Sequence, residues 1–241
     1  MFQLSRIERT DLFIVELLKS IGDRKSIRAF KSKTVPKRTL LDILRTASRA
    51  PSGVNSQPWE FFIVRGTVLE QLKSACLSAH RSGEPKNPDI PVYRMKSIVP
   101  ELDGVFNQRR VALGKQIFSL LGISKEDKEG QVKWVENMVR FYDAPAVIIT
   151  AIDKTFKDYW PLLDIGFVSQ NILLAAQEYG LGTCVMRAIV DYPILIRKIV
   201  GIPESKRIIL GIAIGYADTS HPINSLITER EDVLRIVTFV E

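Results

Sequence analysis

Residues 24–28, "RKSIR", place three cations and one hydroxyl within five positions. If this segment is extended, Arg24, Ser26 and Arg28 project from the same face. A phosphate is bound well by such a set, because arginine offers a planar fork of donors and the hydroxyl adds another. A solvated basic edge strand accounts for the same pattern. The segment alone leaves both interpretations open.

Residues 50–59, "APSGVNSQPW", are a second candidate binding segment. They lie between a helix-like run and the strand-like run "EFFIVRG" at 60–66. A turn needs only about four residues, so this stretch has more small and amide residues than a connection requires. The surplus polarity indicates contact with a ligand.

Other patterns that carry chemistry are weak. Gly180 and Gly182 lack the third glycine and the preceding strand of a dinucleotide fingerprint, and a helix C-cap explains them better. The two histidines, His80 and His221, support no metal site. Cys184 has no local base, so core packing is favoured over a nucleophilic role.

Carboxylates also give no acid/base pair, since three of them are expected to be caps or surface residues: Asp153, Asp158 and Asp164. The chain thus lacks the usual residues of hydrolysis or metal chemistry. It does offer sites for an anionic ligand with amide-like edges. That combination favours a cofactor that brings its own reactivity.

Composition indicates an ordinary globular protein, with 241 residues, 46% hydrophobic and 25% charged. No apolar run reaches the roughly 18–20 residues of a membrane span. The N-terminus shows no pattern of a signal peptide, and Cys76 and Cys184 are too few for a disulfide framework. We therefore expect a cytoplasmic protein without a membrane partner.

The net charge of +7 resides in residues 1–49, which hold 12 Lys and Arg against 5 Asp and Glu. Residues 50–241 are neutral, with 22 of each sign. The basic region suits an anionic ligand or simple solubility. It argues against nucleic acid, because it is short and Phe30 is its only aromatic residue for stacking.

Hydrophobic periodicity predicts an α+β fold. Helices are expected at 10–21 (ended by Gly22), 39–49, 67–80 and 162–182 (stopped by Gly180 and Gly182), and strands at 61–64, 144–153, 207–218 and in the tail at 235–240. Residues 24–35 should be extended. Residues 81–108 are rich in proline and predict mainly loop, followed by helical residues 109–142 with a turn near "LGISKED". The middle third is a candidate lid or insertion.

Five blocks occur in one order along the chain: "RKSIRAF", "APSGVNSQPWEFFIV", "DIGFVSQNILLAAQEYGLGT", "LGIAIGYAD" and "TEREDVLRIVTF". In type and order they resemble the FMN-dependent nitroreductase family. They look most like its bacterial branch, which reduces nitroaromatics such as nitrobenzoates.

The resemblance implies one domain over residues 1–241, with a variable helical or loop insertion at about 81–142. The implied fold is a mostly antiparallel sheet flanked by helices, in an intertwined homodimer with two FMN sites at its interface. It also implies ping-pong chemistry, in which NAD(P)H reduces the flavin and leaves before a small electron-poor aromatic substrate is reduced. The FMN itself would carry the chemistry, without a catalytic side chain.

The resemblance further implies roles for residues of the basic segment. Arg230 would be a second phosphate cation from the far end of the chain, and Arg28 would lie beside the pyrimidine edge of the flavin. There a cation would stabilise negative charge on the reduced ring. The residues that match the phosphate block are Arg24, Lys25 and Ser26.

Other matched residues would lie around the flavin ring. Met186 and Arg187 match a place where the family contacts the reactive edge of the flavin with its backbone. The loop that the partner subunit lays against the ring matches Pro51, Ser52 and Gly53, with Asn55 close by.

Alternatives stay open within this resemblance. One is that the chain is a flavin-dependent reductive dehalogenase or an FMN-fragmenting enzyme of the same fold, and another is that it is an FMN-binding module without turnover. No role is assigned to residues 1–10. Four residues are candidates to line a pocket for an aromatic acid, although simple surface or packing roles are favoured for them: Tyr93, Phe106, Arg109 and Arg110.

Overall fold

The computed structural model describes residues 17–90 and 103–241. Its centre is a four-stranded sheet in the order β1-β2-β4-β3. Each neighbouring pair of strands is antiparallel, as the family resemblance implies. The strands are β1 (Glu60–Arg65), β2 (Ala146–Asp153), β3 (Gly182–Met186) and β4 (Lys206–Gly215).

Helices cover both faces of this sheet. On one face pack α2 (Lys37–Ala47) and α6 (Trp160–Glu178), and on the other α3 (Gly66–Arg81), α5 (Lys128–Val139) and α7 (Pro193–Val200). Alternate residues of β2 enter the two cores, so that Val147 and Ile149 pack on one face while Ile148 packs on the other. All three are fully buried, as expected for a continuous apolar run covered on both faces.

The described residues contain two further α-helices, α1 (Leu17–Asp23) and α4 (Gly104–Leu120). Gly22 does not end α1 as predicted, because the helix continues to Asp23 and Arg24 N still donates to Ser20 O at 3.0 Å. Residues 10–16 of the predicted helix lie outside the described residues. The turn near "LGISKED" is confirmed between α4 and α5, while the insertion at 81–142 stays a prediction.

The two glycines after α6 have different functions. Gly180 adopts φ +65°, and Leu181 N donates back to Ala176 O at 2.9 Å, which is the predicted C-cap. Gly182 belongs to β3 instead of the helix end. A Cβ on Gly182 would lie 2.5 Å from Ile27 Cγ1, so the residue allows the basic segment to approach β3.

The predicted strand at 235–240 is wrong for this protomer. Val233–Arg235 forms a short 3₁₀ helix, and the residues after it have no regular structure. Phe239 and Val240 are 80% and 92% exposed. An apolar stretch becomes a strand only where a sheet edge pairs with it, and the tail pairs with none of the four described strands.

Among the described residues, no helix has both the length and the apolar character needed to cross a bilayer.

Candidate functional site

The basic segment, residues 24–28, lies in an extended conformation beside β3. Ser26 forms a parallel bridge with Thr183, and Ile27 N donates to Thr183 O at 2.9 Å. Further along, Phe30 forms an antiparallel bridge with Ala217. The prediction of an extended segment is confirmed, so Arg24, Ser26 and Arg28 alternate with residues of the opposite face.

Asn224 holds this segment in place. Its Oδ1 accepts a hydrogen bond from Arg28 N at 2.8 Å, and its Nδ2 donates to Ala29 O at 2.7 Å and to Asp218 O at 2.8 Å. The side chain is buried, so these bonds are shielded from water. Sequence reasoning missed Asn224, since a single asparagine in a loop carries no spacing signal.

A cavity of about 560 Å³ brings three of the predicted cations together. Arg24 and Lys25 line it from the basic segment, and Arg230 lines it from the C-terminal region. Among the described residues, no carboxylate lies within ion-pair distance of these three cations. Asp23 also borders the cavity, but it pairs with Lys19 on α1. The cavity is therefore positively charged and suits an anion.

Arg230 presents its guanidinium from an exposed turn. Its Nη1 donates to Thr228 O at 3.1 Å, to Thr228 Oγ1 at 2.8 Å and to Glu229 O at 2.9 Å. These acceptors are neutral, so they orient the guanidinium without cancelling its charge. Thr228 and Arg230 also border a second cavity of about 450 Å³, beside α4.

Cys184 lies in β3 and is buried. Burial raises the pKa of its thiol, and this effect outweighs the nearby charge of Arg28, which lowers it. The thiol therefore remains protonated near neutral pH and is a poor nucleophile. This agrees with the packing role expected for it.

The loop at 51–57 lies against the first turns of α6. Gly53 N is 3.3 Å from Asp164 Oδ1 and 3.4 Å from Oδ2, and Gln57 N donates to Ser52 Oγ at 3.0 Å. Asp164 is buried and caps this loop, which is one of the two roles expected for it. Of the other two acids, Asp158 accepts a hydrogen bond from Trp160 N, and Asp153 pairs with Lys206.

This loop contains backbone conformations that are unfavourable for most residues. Val54, Asn55 and Gln57 have φ of 47°, 58° and 45°. For a β-branched residue such as Val54 the left-handed region is a genuine outlier, and its side chain is fully exposed. Pro51 and Asn55 are exposed as well. Strained, exposed loops of this kind occur where a ligand or another chain is contacted.

The loop and the basic segment lie near opposite ends of α6. Asp164 contacts Gly53 near the start of α6, whereas Gln177 near its end donates to Ser20 O on α1, just before the basic segment. The 13 residues from Asp164 to Gln177 correspond to about 20 Å of helix. The structure therefore does not bring these two predicted groups together within one protomer.

Met186 and Arg187 follow directly from the end of β3. Met186 is buried in the core, and it pairs with Gly211 of β4 in the sheet. Arg187 begins a short 3₁₀ helix and its Nη1 lies 3.4 Å from Asp191 Oδ1. Asp191 is 1% exposed and its Oδ2 lies 2.6 Å from Lys86 Nζ. Sequence reasoning also missed Asp191, because its partner Lys86 lies 105 residues away along the chain.

The residues of the middle third that were candidates to line an aromatic-acid pocket make different contacts. Arg109 Nη2 lies 2.5 Å from Glu231 Oε2 and borders the second cavity. Arg110 donates to Asn107 Oδ1 on its own helix, and Phe106 is 60% exposed. Tyr93 lies outside the described residues.

Known proteins resemble this chain over most of its length. The profile of the nitroreductase family matches residues 21–216. The chain is 32% identical to 4-nitrobenzoate reductase from Nocardioides sp. (strain LMS-CY), over 91% of this chain and 88% of that protein. It is 31% identical to chloronitrobenzene nitroreductase from Comamonas testosteroni, over 96% and 98% of the two chains.

The fold has a match among solved structures. The FMN-dependent nitroreductase NfnB from Mycobacterium smegmatis, in complex with NADPH, superposes with a TM-score of 0.84 at 27% identity, covering 93% of this chain and 97% of that one. The nitroreductase fold that the resemblance implies is thus confirmed. The chain belongs to the nitroreductase family.

Proposed function

We propose that this protein is an FMN-dependent oxidoreductase that uses NAD(P)H to reduce nitroaromatics, quinones or similar electron-poor acceptors. One observation of the structure carries this proposal: Arg24, Lys25 and Arg230 reach one cavity from opposite ends of the chain. Relatives named as reductases of 4-nitrobenzoate and chloronitrobenzene support the substrate class, and NfnB in complex with NADPH supports the reductant.

The chain's own residues fit the parts of FMN. Arg24, Lys25 and Arg230 hold the phosphate, with Ser26 as an additional donor. Arg28 would lie beside the pyrimidine edge, where its charge would favour the anionic reduced ring. Met186 and Arg187 would contact the reactive edge with their backbone. When bound, FMN supplies the hydride transfer between NAD(P)H and the acceptor.

The site is completed by a second copy of the chain. Pro51, Ser52, Gly53 and Asn55 then contact the flavin of the partner, because the loop lies about 20 Å along α6 from the basic segment of its own protomer. Exposed apolar side chains on α1 and α6 support such an interface, among them Leu17, Leu18, Leu163 and Phe167. We place this homodimer in the cytoplasm, in keeping with its two free, buried cysteines.

The phosphate assignment is tested by Arg230→Ala. Losing one charge-assisted hydrogen bond costs about 1.5–3 kcal/mol, so we expect FMN affinity to fall by about 10–150-fold. Arg235→Ala is the matched control, because Arg235 is exposed on the same tail and pairs with Glu231. Unchanged FMN affinity in Arg230→Ala, measured by flavin fluorescence, would contradict the assignment.

Turnover is tested with the FMN-loaded protein. We expect oxidation of NADPH or NADH to depend on an added nitrobenzoate or quinone. An FMN-loaded dimer that shows no such turnover would be a binding module instead of an enzyme.

A further inference from the structure

One side chain, Asn224, joins the two distant parts of the chain that supply the cations of the positive cavity. It lies on a short 3₁₀ helix, Pro222–Ser225, six residues before Arg230. Its Oδ1 accepts a hydrogen bond from Arg28 N at 2.8 Å, and its Nδ2 donates to Ala29 O at 2.7 Å. Because both bonds come from one planar amide group, they define where the basic segment lies relative to residue 224.

Asn224 is itself held firmly by the surrounding structure. Its Nδ2 donates a second hydrogen bond, to Asp218 O at 2.8 Å, and the residue is 5% exposed. Its neighbour Ile223 is fully buried, and Leu226 and Ile117 of α4 belong to the same hydrophobic cluster. The amide therefore uses its acceptor and both of its donors, at a position where water does not compete for them.

The residues that follow this helix lead directly into the cavity of about 560 Å³. Ile227, Thr228 and Arg230 line it together with Arg24 and Lys25 of the basic segment. The three cations repel one another, so bonds elsewhere in the fold must maintain their spacing. The bonds of Asn224 to residues 28 and 29 lie only a few residues from the cations on either side, and they are suited to this purpose.

We propose that Asn224 is a positioning residue that fixes the spacing between Arg24 and Arg230, and thereby makes the site selective for a phosphorylated flavin. The inference rests on the proposed function. A phosphate gains most from two guanidinium groups when the protein already holds them where both can donate. Riboflavin, which lacks the phosphate, gains nothing from that spacing. Asn224 therefore contributes more to the affinity for FMN than to the affinity for riboflavin.

The experiment measures the dissociation constants of FMN and of riboflavin by flavin fluorescence, for the full wild-type chain freed of flavin and for Asn224→Ala. We expect the ratio of the riboflavin constant to the FMN constant to fall by about tenfold in the variant, as partial loss of one charge-assisted bond to the phosphate would cause. A purely structural defect would weaken the binding of both flavins equally. An unchanged ratio overturns the proposal.

The same ratio shows whether Asn224 acts through the phosphate cations. In a protein that already carries Arg24→Ala and Arg230→Ala, the further change Asn224→Ala should leave the ratio as it is, because the cations that it spaces are gone. An equal tenfold fall in that background would mean that Asn224 acts by another route, and the proposal would be wrong.

Asn171→Ala is the matched control. Asn171 Nδ2 donates to Ala47 O at 3.2 Å, so this amide also joins two parts of the fold, α6 and α2, but it does not line the cavity. The control should keep the wild-type ratio. A fall as large as that of Asn224→Ala would show that loss of any such amide bond is sufficient, and it would overturn a specific effect of Asn224.

A second substitution applies if Asn224→Ala does not fold. Asn224→Ser keeps a hydroxyl at the buried position, but this group is shorter and has a single donor, so it cannot replace all three bonds. It should lower the ratio as well, and a wild-type ratio in this variant contradicts the proposal.

The two proposals fail in different ways. A wild-type protein that binds no FMN, or that binds riboflavin as tightly as FMN, refutes the phosphate site of the proposed function and this inference with it. A wild-type protein that prefers FMN, while Asn224→Ala keeps the same preference, refutes only the role of Asn224.

Discussion

Asp191 is a buried carboxylate that holds two cations from different parts of the fold. Lys86 comes from the segment after α3, and Arg187 from the turn after β3. Removing one partner of a buried pair leaves an uncompensated charge, which costs about 3–5 kcal/mol. Asp191→Asn should therefore lower the midpoint of thermal unfolding by about 6–20 °C, since each kcal/mol corresponds to about 2–4 °C in a chain of this size.

A matched control for Asp191→Asn is Glu129→Gln. Glu129 pairs with Lys133 on the surface of α5, and both side chains are largely exposed. Because water screens such a pair, this variant should unfold at the wild-type temperature. Equal shifts in the two variants would show that burial of Asp191 does not matter.

Residue types along the chain predicted the cations, but not the groups that orient them. Arg24, Lys25 and Arg230 could be proposed from charge and from the family resemblance. Asn224 could not, because its contacts with residues 28 and 29 join distant parts of the sequence. Such contacts depend on the tertiary fold and leave no local pattern.

Gly182 sets how closely the basic segment approaches β3. A Cβ at this position would lie 2.5 Å from Ile27 Cγ1 and 3.0 Å from Ile27 Cβ, so Gly182→Ala must displace the segment. Overpacking of this kind costs about 1–3 kcal/mol. Because Arg24 and Arg28 flank Ile27, we expect FMN affinity to fall by about tenfold, as partial loss of one charge-assisted bond would cause. Titration of the apo-protein with FMN measures this.

Two variants define the cause of that loss. Gly114→Ala is the control, because nothing lies within 4 Å of a Cβ there, and in the middle of α4 it should stabilise the protein by about 0.5–1 kcal/mol. Adding Ile27→Ala to Gly182→Ala removes the 2.5 Å contact with Cγ1 and leaves the 3.0 Å contact with Cβ, so it should restore most of the FMN affinity. If the double variant binds as weakly as Gly182→Ala, the steric explanation is wrong.

Helices and strands with a clear hydrophobic pattern in their own sequence were predicted well. The apolar runs of β2 and β4 and the periodic patterns of α2, α3 and α6 are confirmed, with shifts at their ends. The tail failed for a physical reason, since a strand at 235–240 requires an edge to pair with and the protomer leaves these residues exposed. The apolar composition of the tail indicates that these residues pack against another surface. It does not show whether that surface belongs to the same chain or to a second one.

At the scale of the whole molecule, the proposed homodimer has two sites that each need both chains. This predicts complementation between two defective variants. Gly53→Phe should block the loop's approach to the flavin, and within the protomer nothing lies within 4 Å of a Cβ on Gly53. The double variant Arg24→Ala, Arg230→Ala removes phosphate cations. Each variant alone should bind FMN poorly, whether the site is shared or not.

Mixed dimers distinguish the two arrangements. If the loop of one chain completes the site of the other, a heterodimer has one site with an intact loop and intact cations, and one site with neither. Random exchange of subunits makes about half of the dimers heterodimers, so about one quarter of the wild-type FMN sites should return. If each chain builds its own site, every site in the mixture remains defective and no FMN binding is regained. Co-expression of the two variants, followed by flavin quantification and light scattering, therefore decides whether the site is shared between chains.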